Sequence, residues 1–238
     1  MTRGNYLWYE ESHKDAEDFP KWAGEAARQL EVVPRGEETA YGYSSKLNDW
    51  LTEFGLRESH GTAVDFGCSS AMYRNLFKDM DYIGIDQNPQ ALQIASRRWQ
   101  GRESETGGRK TVFYEAPLSN VVGTFPELTE VGDIGLSITV LQHNHIRPGK
   151  EVLKGMSKVL KPGAPLMLME ATYDVRYYND DALMRRENFP PIDPEQLDSP
   201  FGMTVFTAKG WVNFLNSHGF ENTVYDGTSY YLTFRRKD

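Results

Sequence analysis

The rhythm of hydrophobic and polar positions along the chain changes at residue 62. Before it, apolar residues recur at helical spacing. Trp22, Ala26 and Leu30 form one stripe, and Leu47, Trp50, Leu51 and Phe54 form a second. Val33-Pro34-Arg35-Gly36 separates the two, and the aromatic pair Tyr41 and Tyr43 follows. Residues 1–61 therefore predict helices without strands, with Tyr6, Trp8, Tyr9, Tyr41 and Tyr43 as anchors onto whatever lies beneath.

From residue 62 onward, short apolar runs alternate with helical stripes. Ala63, Val64 and Phe66 predict a buried strand that ends in small residues, Gly67 to Ala71, and the helix-compatible Tyr73–Phe77 predicts a helix running to about Met80. Tyr82 to Asp86 is a second strand. A helix from Pro89 to Trp99 has Asn88 as its cap and proline at its first position. Residues 101–110 are too polar and glycine-rich for anything but an exposed connection, and Thr111–Glu115 is a third strand. Gly123 and Pro126 keep any helix between Ser119 and Val131 short.

A fourth strand follows Gly132. The helix after it, from about Gly149 to Leu160, carries Val152, Leu153, Met156, Val159 and Leu160 on one face, and a fifth strand follows Gly163. Thr207 caps a last helix containing Trp211, Val212, Phe214 and Leu215 and ending at Gly219. Glu221–Tyr225 and Ser229–Arg235 read as a hairpin through Asp226-Gly227. Strands alternating with helices predict an α/β fold with a largely parallel sheet, and no internal repeat interrupts it.

Composition narrows the class. A chain of 238 residues with 39% hydrophobic content buries one substantial core, which predicts a single domain over 1–238. Acidic residues outnumber basic ones by 34 to 26, and the net charge of −8 argues against a nucleic-acid backbone as the main partner. The one cysteine, Cys68, permits no internal disulfide and fits a reducing compartment. With no apolar stretch of signal-peptide or membrane-span length, the expected location is the cytoplasm, away from the membrane.

The turn after the first strand carries the candidate chemistry. Small residues there let a ligand lie against backbone, and Asp86, 19 positions after Gly67 at the end of the second strand, suits the diol of a ribose. A dinucleotide fingerprint would read G-x-G-x-x-G, whereas here Gly67, Ser69 and Ala71 stand at alternate positions and Met72 is bulky. The arrangement D-x-G-x-S-x-A from Asp65 resembles motif I of the class I S-adenosylmethionine-dependent methyltransferases, usually D/E-x-G-x-G-x-G. Gly132–His143 resembles that family's fourth strand and turn. Leu160-Lys161-Pro162-Gly163 and the run to Glu170 resemble its fifth.

The resemblance covers 62–171 well, the C-terminal end plausibly, and 1–40 and 172–205 poorly, so the last two are expected to choose the substrate. It implies a Rossmann-like, seven-stranded, mostly parallel sheet in the order 3-2-1-4-5-7-6, strand 7 antiparallel, flanked by helices. It divides the chain into an N-terminal helical cap (1–61), a cofactor-binding core (62–171), a lid or substrate insertion (172–205), and a C-terminal helix and hairpin (206–238).

The implied cofactor is S-adenosylmethionine. Asp65 and the Gly67 backbone would hold its methionine moiety, with Ser69 in the same turn. Cys68 stands there too, either beside the cofactor or as a small filler. By the same resemblance Asp86 would hold the ribose hydroxyls, Gln87 the adenine side, Glu115 the exocyclic amine and the Ala116 N–H the ring, while Thr139 and Val140 close the other wall.

Methyl transfer asks the protein to align the acceptor and, for a hydroxyl, to take its proton. His143 is the candidate base, since imidazole titrates near neutrality, or else it shapes the pocket. Glu170 is the candidate acceptor ligand or second base. His143 and His145 lack a third ligand nearby, so no metal is expected. The long connection 172–205 carries Tyr173, Arg176 and Arg185 and is broken by Pro190, Pro191 and Pro194; it reads as a lid whose arginines suit a carboxylate or phosphate, or as a homodimer contact or surface crossing.

The leading expectation is metal-free, in-line methyl transfer to a small molecule, an O-methylation of a hydroxylated or anionic metabolite or sugar. Two alternatives stand beside it: an NAD-dependent oxidoreductase, and an S-adenosylmethionine-binding module without catalysis.

Overall fold

A computed structural model of the chain describes residues 51–52, 60–141, 146–170, 197–198, 204–205, 208–224 and 231–237. Five strands run in sequence: β1 (Thr62–Phe66), β2 (Asp81–Asp86), β3 (Thr111–Glu115), β4 (Ile134–Ile138) and β5 (Pro165–Met169). Two short strands, β6 (Leu197–Asp198) and β7 (Thr204–Val205), pair only with each other, and β8 (Phe220–Val224) and β9 (Tyr231–Arg236) close the chain. The helices whose bounds lie among the described residues are α1 (Pro89–Trp99), α2 (Val121–Thr124), α3 (Ile146–Val159) and α4 (Ala208–Asn216).

The main sheet has the order β3-β2-β1-β4-β5-β9-β8. The first five strands are parallel, and β9 runs antiparallel to both β5 and β8. Counting the strands of this sheet alone gives 3-2-1-4-5-7-6, the Rossmann-like order that the family resemblance implies.

Two apolar layers cover the sheet. Val64, Phe66, Ile85, Leu166 and Leu168 face one side, where Val152, Leu153, Met156 and Val159 of α3 and Trp211 and Leu215 of α4 pack on them. Ala63, Tyr82, Ile134, Leu136 and Met167 face the other, against Ala95 and Trp99 of α1 and the Phe77–Met80 segment. Adjacent residues of one strand point to opposite faces, so the near-continuous apolar runs of β1, β4 and β5 mark strands buried on both sides.

Local chemistry sets most element ends. The Asn88 carboxamide oxygen accepts from the N–H groups of Gln90 (3.0 Å) and Ala91 (3.2 Å), capping α1 as predicted. α3 begins at Ile146, earlier than Gly149, because Pro148 stands in the first turn, where its missing N–H breaks no helical bond.

The helix predicted from Tyr73 is absent. Arg74–Phe77 forms one 3-10 turn within a run of i to i+3 bonds, Ala71 to Cys68 (2.8 Å), Leu76 to Tyr73 (3.0 Å) and Met80 to Phe77 (3.0 Å). The turn consumes residues 67–73, and too little chain is left before Asp81 for a full crossover helix. The 101–110 connection is exposed for most of its length but buries Thr106, whose hydroxyl donates to the Arg109 carbonyl at 3.1 Å.

Of the N-terminal cap, only Leu51 and Thr52 are among the described residues. Both are helical, and Leu51 is buried in the second layer. The expected anchors of residues 1–50, the Thr207 cap, the Asp226-Gly227 turn and, apart from β6 and β7, the 172–205 insertion lie outside them. Among the described residues no helix is long and apolar enough to cross a membrane.

Candidate active site

The candidate site lies at the carboxyl ends of β1, β2 and β4, where ligands of open α/β sheets bind. At its centre the backbone of residues 67–71 has left-handed conformations at alternate positions: φ is +71° at Gly67, +50° at Ser69 and +53° at Ala71. Only the first is glycine. At the other two the chain keeps a glycine-like conformation with side chains in place, at a cost of roughly 1–2 kcal/mol each.

Hydrogen bonds hold that conformation from below. The N–H groups of Gly67 (2.8 Å) and Cys68 (3.1 Å) donate to the Ile85 carbonyl, and Ser69 N–H donates to Asp86 Oδ2 at 2.8 Å. From α1, Arg98 Nη1 donates to Ser70 Oγ (3.0 Å) and Trp99 Nε1 donates to the Ala71 carbonyl (3.1 Å).

Asp86 is the polar hub of the turn. Its Oδ1 accepts the Asn88 N–H at 2.8 Å, so each carboxylate oxygen receives a backbone donor and the pair keeps lone-pair capacity for a ligand. Burial raises its pKa, and the N–H groups of Asn88, Ser69 and Gln87 oppose that rise. Asp86 stays partly exposed and Gln87 beside it is exposed.

Asp65 is a different carboxylate. It is 2% exposed and faces the layer beneath the turn, where the Tyr82 hydroxyl donates to its Oδ2 at 2.5 Å. Burial lifts its pKa from 3.8 to about 7; the Tyr82 hydrogen bond pulls it down and the charge of Asp86 pushes it up. Tyr82 in turn lies under the guanidinium of Arg74, 5.2 Å from the ring centre. Arg74 is fully buried: Nε donates to Thr111 Oγ1 (2.8 Å) and Nη1 to the Phe77 carbonyl (2.6 Å), and burial lowers its pKa to about 10.

Cys68 turns away from the open side. Its Sγ fills the space above Gly84, where an added Cβ would lie 2.7 Å from the sulfur and 2.7 Å from Phe113, and burial pushes its thiol pKa up. The side chain is a small filler, and only the Cys68 backbone belongs to the turn.

The wall opposite the turn comes from the end of β4. Thr139 is left-handed at φ +55°, with its N–H donating to the Met169 carbonyl at 2.7 Å. Val140 leans on Gly67, where a Cβ would come within 2.5 Å of Val140 Cγ2. Only glycine fits position 67, for both its backbone and its contact.

Glu170 is 1% exposed, and its Oε1 accepts the N–H groups of both Val140 (3.0 Å) and Leu141 (2.8 Å). The residue expected to meet an acceptor thus holds the loop that forms the wall. At the end of β3, Glu115 is exposed. The Ala116 N–H expected for an adenine ring donates to the Asp86 carbonyl at 3.0 Å, as the next rung of the parallel ladder.

The structure therefore brings Gly67, Ser69, Asp86, Gln87, Thr139 and Val140 together and sets Asp65 in the layer beneath them. His143, His145, Tyr173, Arg176 and Arg185 lie outside the described residues. Among the described residues no group of three His, Cys, Asp or Glu side chains has metal-site spacing. Two cavities of about 380 and 530 Å³ lie away from the turn, on the flank between α1 and β3.

Sequence reasoning missed Tyr82, Arg74, Arg98 and Trp99. A signal existed for the first: an aspartate inside an apolar strand needs a buried partner, and period-2 alternation puts Tyr82 on the same sheet face, with Gly84 leaving it room.

No protein-family model and no curated protein sequence matches the chain. Solved structures do. Magnesium protoporphyrin IX methyltransferase (ChlM) from Synechocystis PCC 6803, with bound S-adenosylhomocysteine, superposes with a TM-score of 0.56 at 12% identity, over 99% of this chain and 95% of its own. N-methyltransferase NodS from Bradyrhizobium japonicum WM9, in complex with S-adenosyl-L-homocysteine, gives 0.56 at 13% identity, over 91% and 99%. The cyclase SpnF gives 0.56 at 18% identity, over 80% of this chain and 63% of its own. Likeness at such identities is a likeness of fold.

Proposed function

We propose that this chain, whose fold is that of the class I S-adenosylmethionine-dependent methyltransferases, binds S-adenosylmethionine and transfers its methyl group to a small molecule. The observation that carries the reading is the alternating left-handed backbone at Gly67, Ser69 and Ala71, with the middle N–H bonded to Asp86. It is a left-handed backbone at three alternate positions, the conformation glycine adopts most readily, here held at a serine and an alanine as well.

The donor set suits the cofactor. Asp86 would take the ribose hydroxyls on its remaining lone pairs, with Gln87 and Glu115 on the adenine side. The Gly67 backbone would take the methionine moiety, with Val140 closing the wall and Asp65, buried beneath the turn on Tyr82, supporting it from below. The cofactor supplies a methyl group on a sulfonium, a good leaving group. The protein's part is then to orient the acceptor, exclude water and receive a proton.

For the acceptor we favour a hydroxylated or anionic metabolite or sugar, methylated on oxygen without a metal. His143 would be the base, and Tyr173, Arg176 and Arg185 would contact the acceptor. The single buried cysteine and the acidic charge suit a cytoplasmic enzyme. A second reading, cofactor binding without methyl transfer, draws support from Val140, which leaves little space over Gly67.

Calorimetric titration with S-adenosylmethionine, S-adenosylhomocysteine and NAD tests the first step. Both sulfur nucleosides should bind, and Asp86→Ala should weaken them about 10- to 100-fold, the loss of two charge-assisted hydrogen bonds. Binding of NAD alone would overturn the assignment. Mass-spectrometric screening of hydroxylated acceptors, repeated on His143→Ala, then separates a transferase from a binding module.

A further inference from the structure

We propose that Glu170 is a positioning residue that sets the width of the candidate site by fixing Val140 against Gly67. The proposal rests on the cofactor reading above, but its structural half stands without it. The chain of contacts is continuous. Glu170 follows β5 directly and is 1% exposed, so its carboxylate has no water to compete for it. Its Oε1 accepts two successive backbone donors, Val140 N–H at 3.0 Å and Leu141 N–H at 2.8 Å.

Those two N–H groups follow a left-handed Thr139, whose own N–H is tied to the Met169 carbonyl at 2.7 Å. The wall loop is therefore gripped at three successive amides by two successive residues of the neighbouring strand end. Val140, held in this way, puts Cγ2 only 2.5 Å from where a Cβ on Gly67 would stand. Moving Val140 opens or closes the gap beside the turn.

A buried carboxylate accepting two amide hydrogen bonds is a loop clamp: it neutralises donors that strand pairing leaves unpaired. Both amides meet one oxygen, Oε1, whereas a residue acting as base needs a basic oxygen at the acceptor. The two roles differ in what glutamine does to them. Glutamine keeps the carbonyl oxygen that receives both amides and loses the basicity.

The test combines hydrogen exchange of the Val140 and Leu141 amides with the Kd for S-adenosylhomocysteine, in wild type, Glu170→Gln and Glu170→Ala. The expected result is exchange at the two amides about 10-fold or more faster in Glu170→Ala, with a Kd raised about 10-fold. Glu170→Gln should stay within about threefold of wild type in both. In a double-mutant cycle, Val140→Ala should remove most of the affinity loss caused by Glu170→Ala, because one acts through the other.

Unchanged exchange in Glu170→Ala overturns the clamp, and so does a glutamine variant indistinguishable from alanine. Faster exchange with an unchanged Kd overturns the link to the site. If the alanine variant does not fold, Glu170→Asp, one methylene short of the amides, is measured in its place. A wild-type chain that binds no S-adenosylhomocysteine defeats the cofactor reading, and the exchange data still decide the clamp.

Discussion

At the scale of single residues, Asp65 sets the balance between stability and function. A carboxyl whose pKa rises from 3.8 to about 7 on folding keeps a proton in the native state that the unfolded chain releases. Between those two values the native state binds more protons, so stability falls as pH rises through the window and levels off above about 7. The cost above neutrality is on the order of 4 kcal/mol at most. Asp65→Asn should make that slope shallower, leaving the share of Asp86, whose pKa burial also raises, and make the chain more stable than wild type at pH 8, with little difference at pH 4. Urea unfolding at pH 4, 5, 6, 7 and 8 checks it, and a wild-type stability that is flat across the window would refute the assignment of a buried, shifted carboxyl. The Tyr82 hydroxyl, its one described hydrogen-bond donor, limits the penalty without removing it.

At the scale of elements, α1 ties the site together. Its cap, Asn88, is two residues from Asp86, and its last turn reaches back 28 residues to grip Ser70 and Ala71. Trp99→Phe deletes one grip and leaves the buried Ala71 carbonyl without that donor. The expected loss is about 1–3 kcal/mol of stability together with weaker cofactor binding, read by denaturant titration and calorimetry on the same preparation. Full stability loss with unchanged affinity would mean the turn holds its shape without α1.

This dependence explains what the sequence could and could not reveal. The strands themselves, the Asn88 cap, the Gly67 turn and Asp86 at its distance rest on local patterns and are legible, whereas the order of the strands comes only from the family resemblance. The Arg98 and Trp99 grips, the stack of Arg74 on Tyr82 and the clamp at Glu170 join residues of different elements, which no periodicity encodes. The missing helix at Tyr73–Phe77 is of the same kind. Those residues accept a helix, but the left-handed turn before them uses up the chain it would need.

At the scale of the whole molecule, the sheet is ordered from a rigid centre to an open edge. β1 is flanked on both sides and buried on both faces, whereas β3 has a partner on one side only, and Val112 on it is 41% exposed. Amide exchange should therefore be slowest in β1 and β4 and fastest, among the parallel strands, in β3. Protection of β3 equal to that of β1 would mean that a second chain covers the edge in solution.

The place of β1 between β2 and β4 also bears on how the protein is made. Ala63 pairs with Tyr82, 19 residues later, and with Ile134, 71 residues later. During synthesis β2 can dock on β1 early, but the opposite edge of β1 has no neighbour until more than half of the chain has been translated. The Asp86 end of the candidate site can thus take shape on the ribosome well before Val140 arrives to wall it in. A nascent or prematurely terminated chain carries, in that interval, an apolar strand with one bare edge, the natural place for a chaperone to bind or for aggregation to begin.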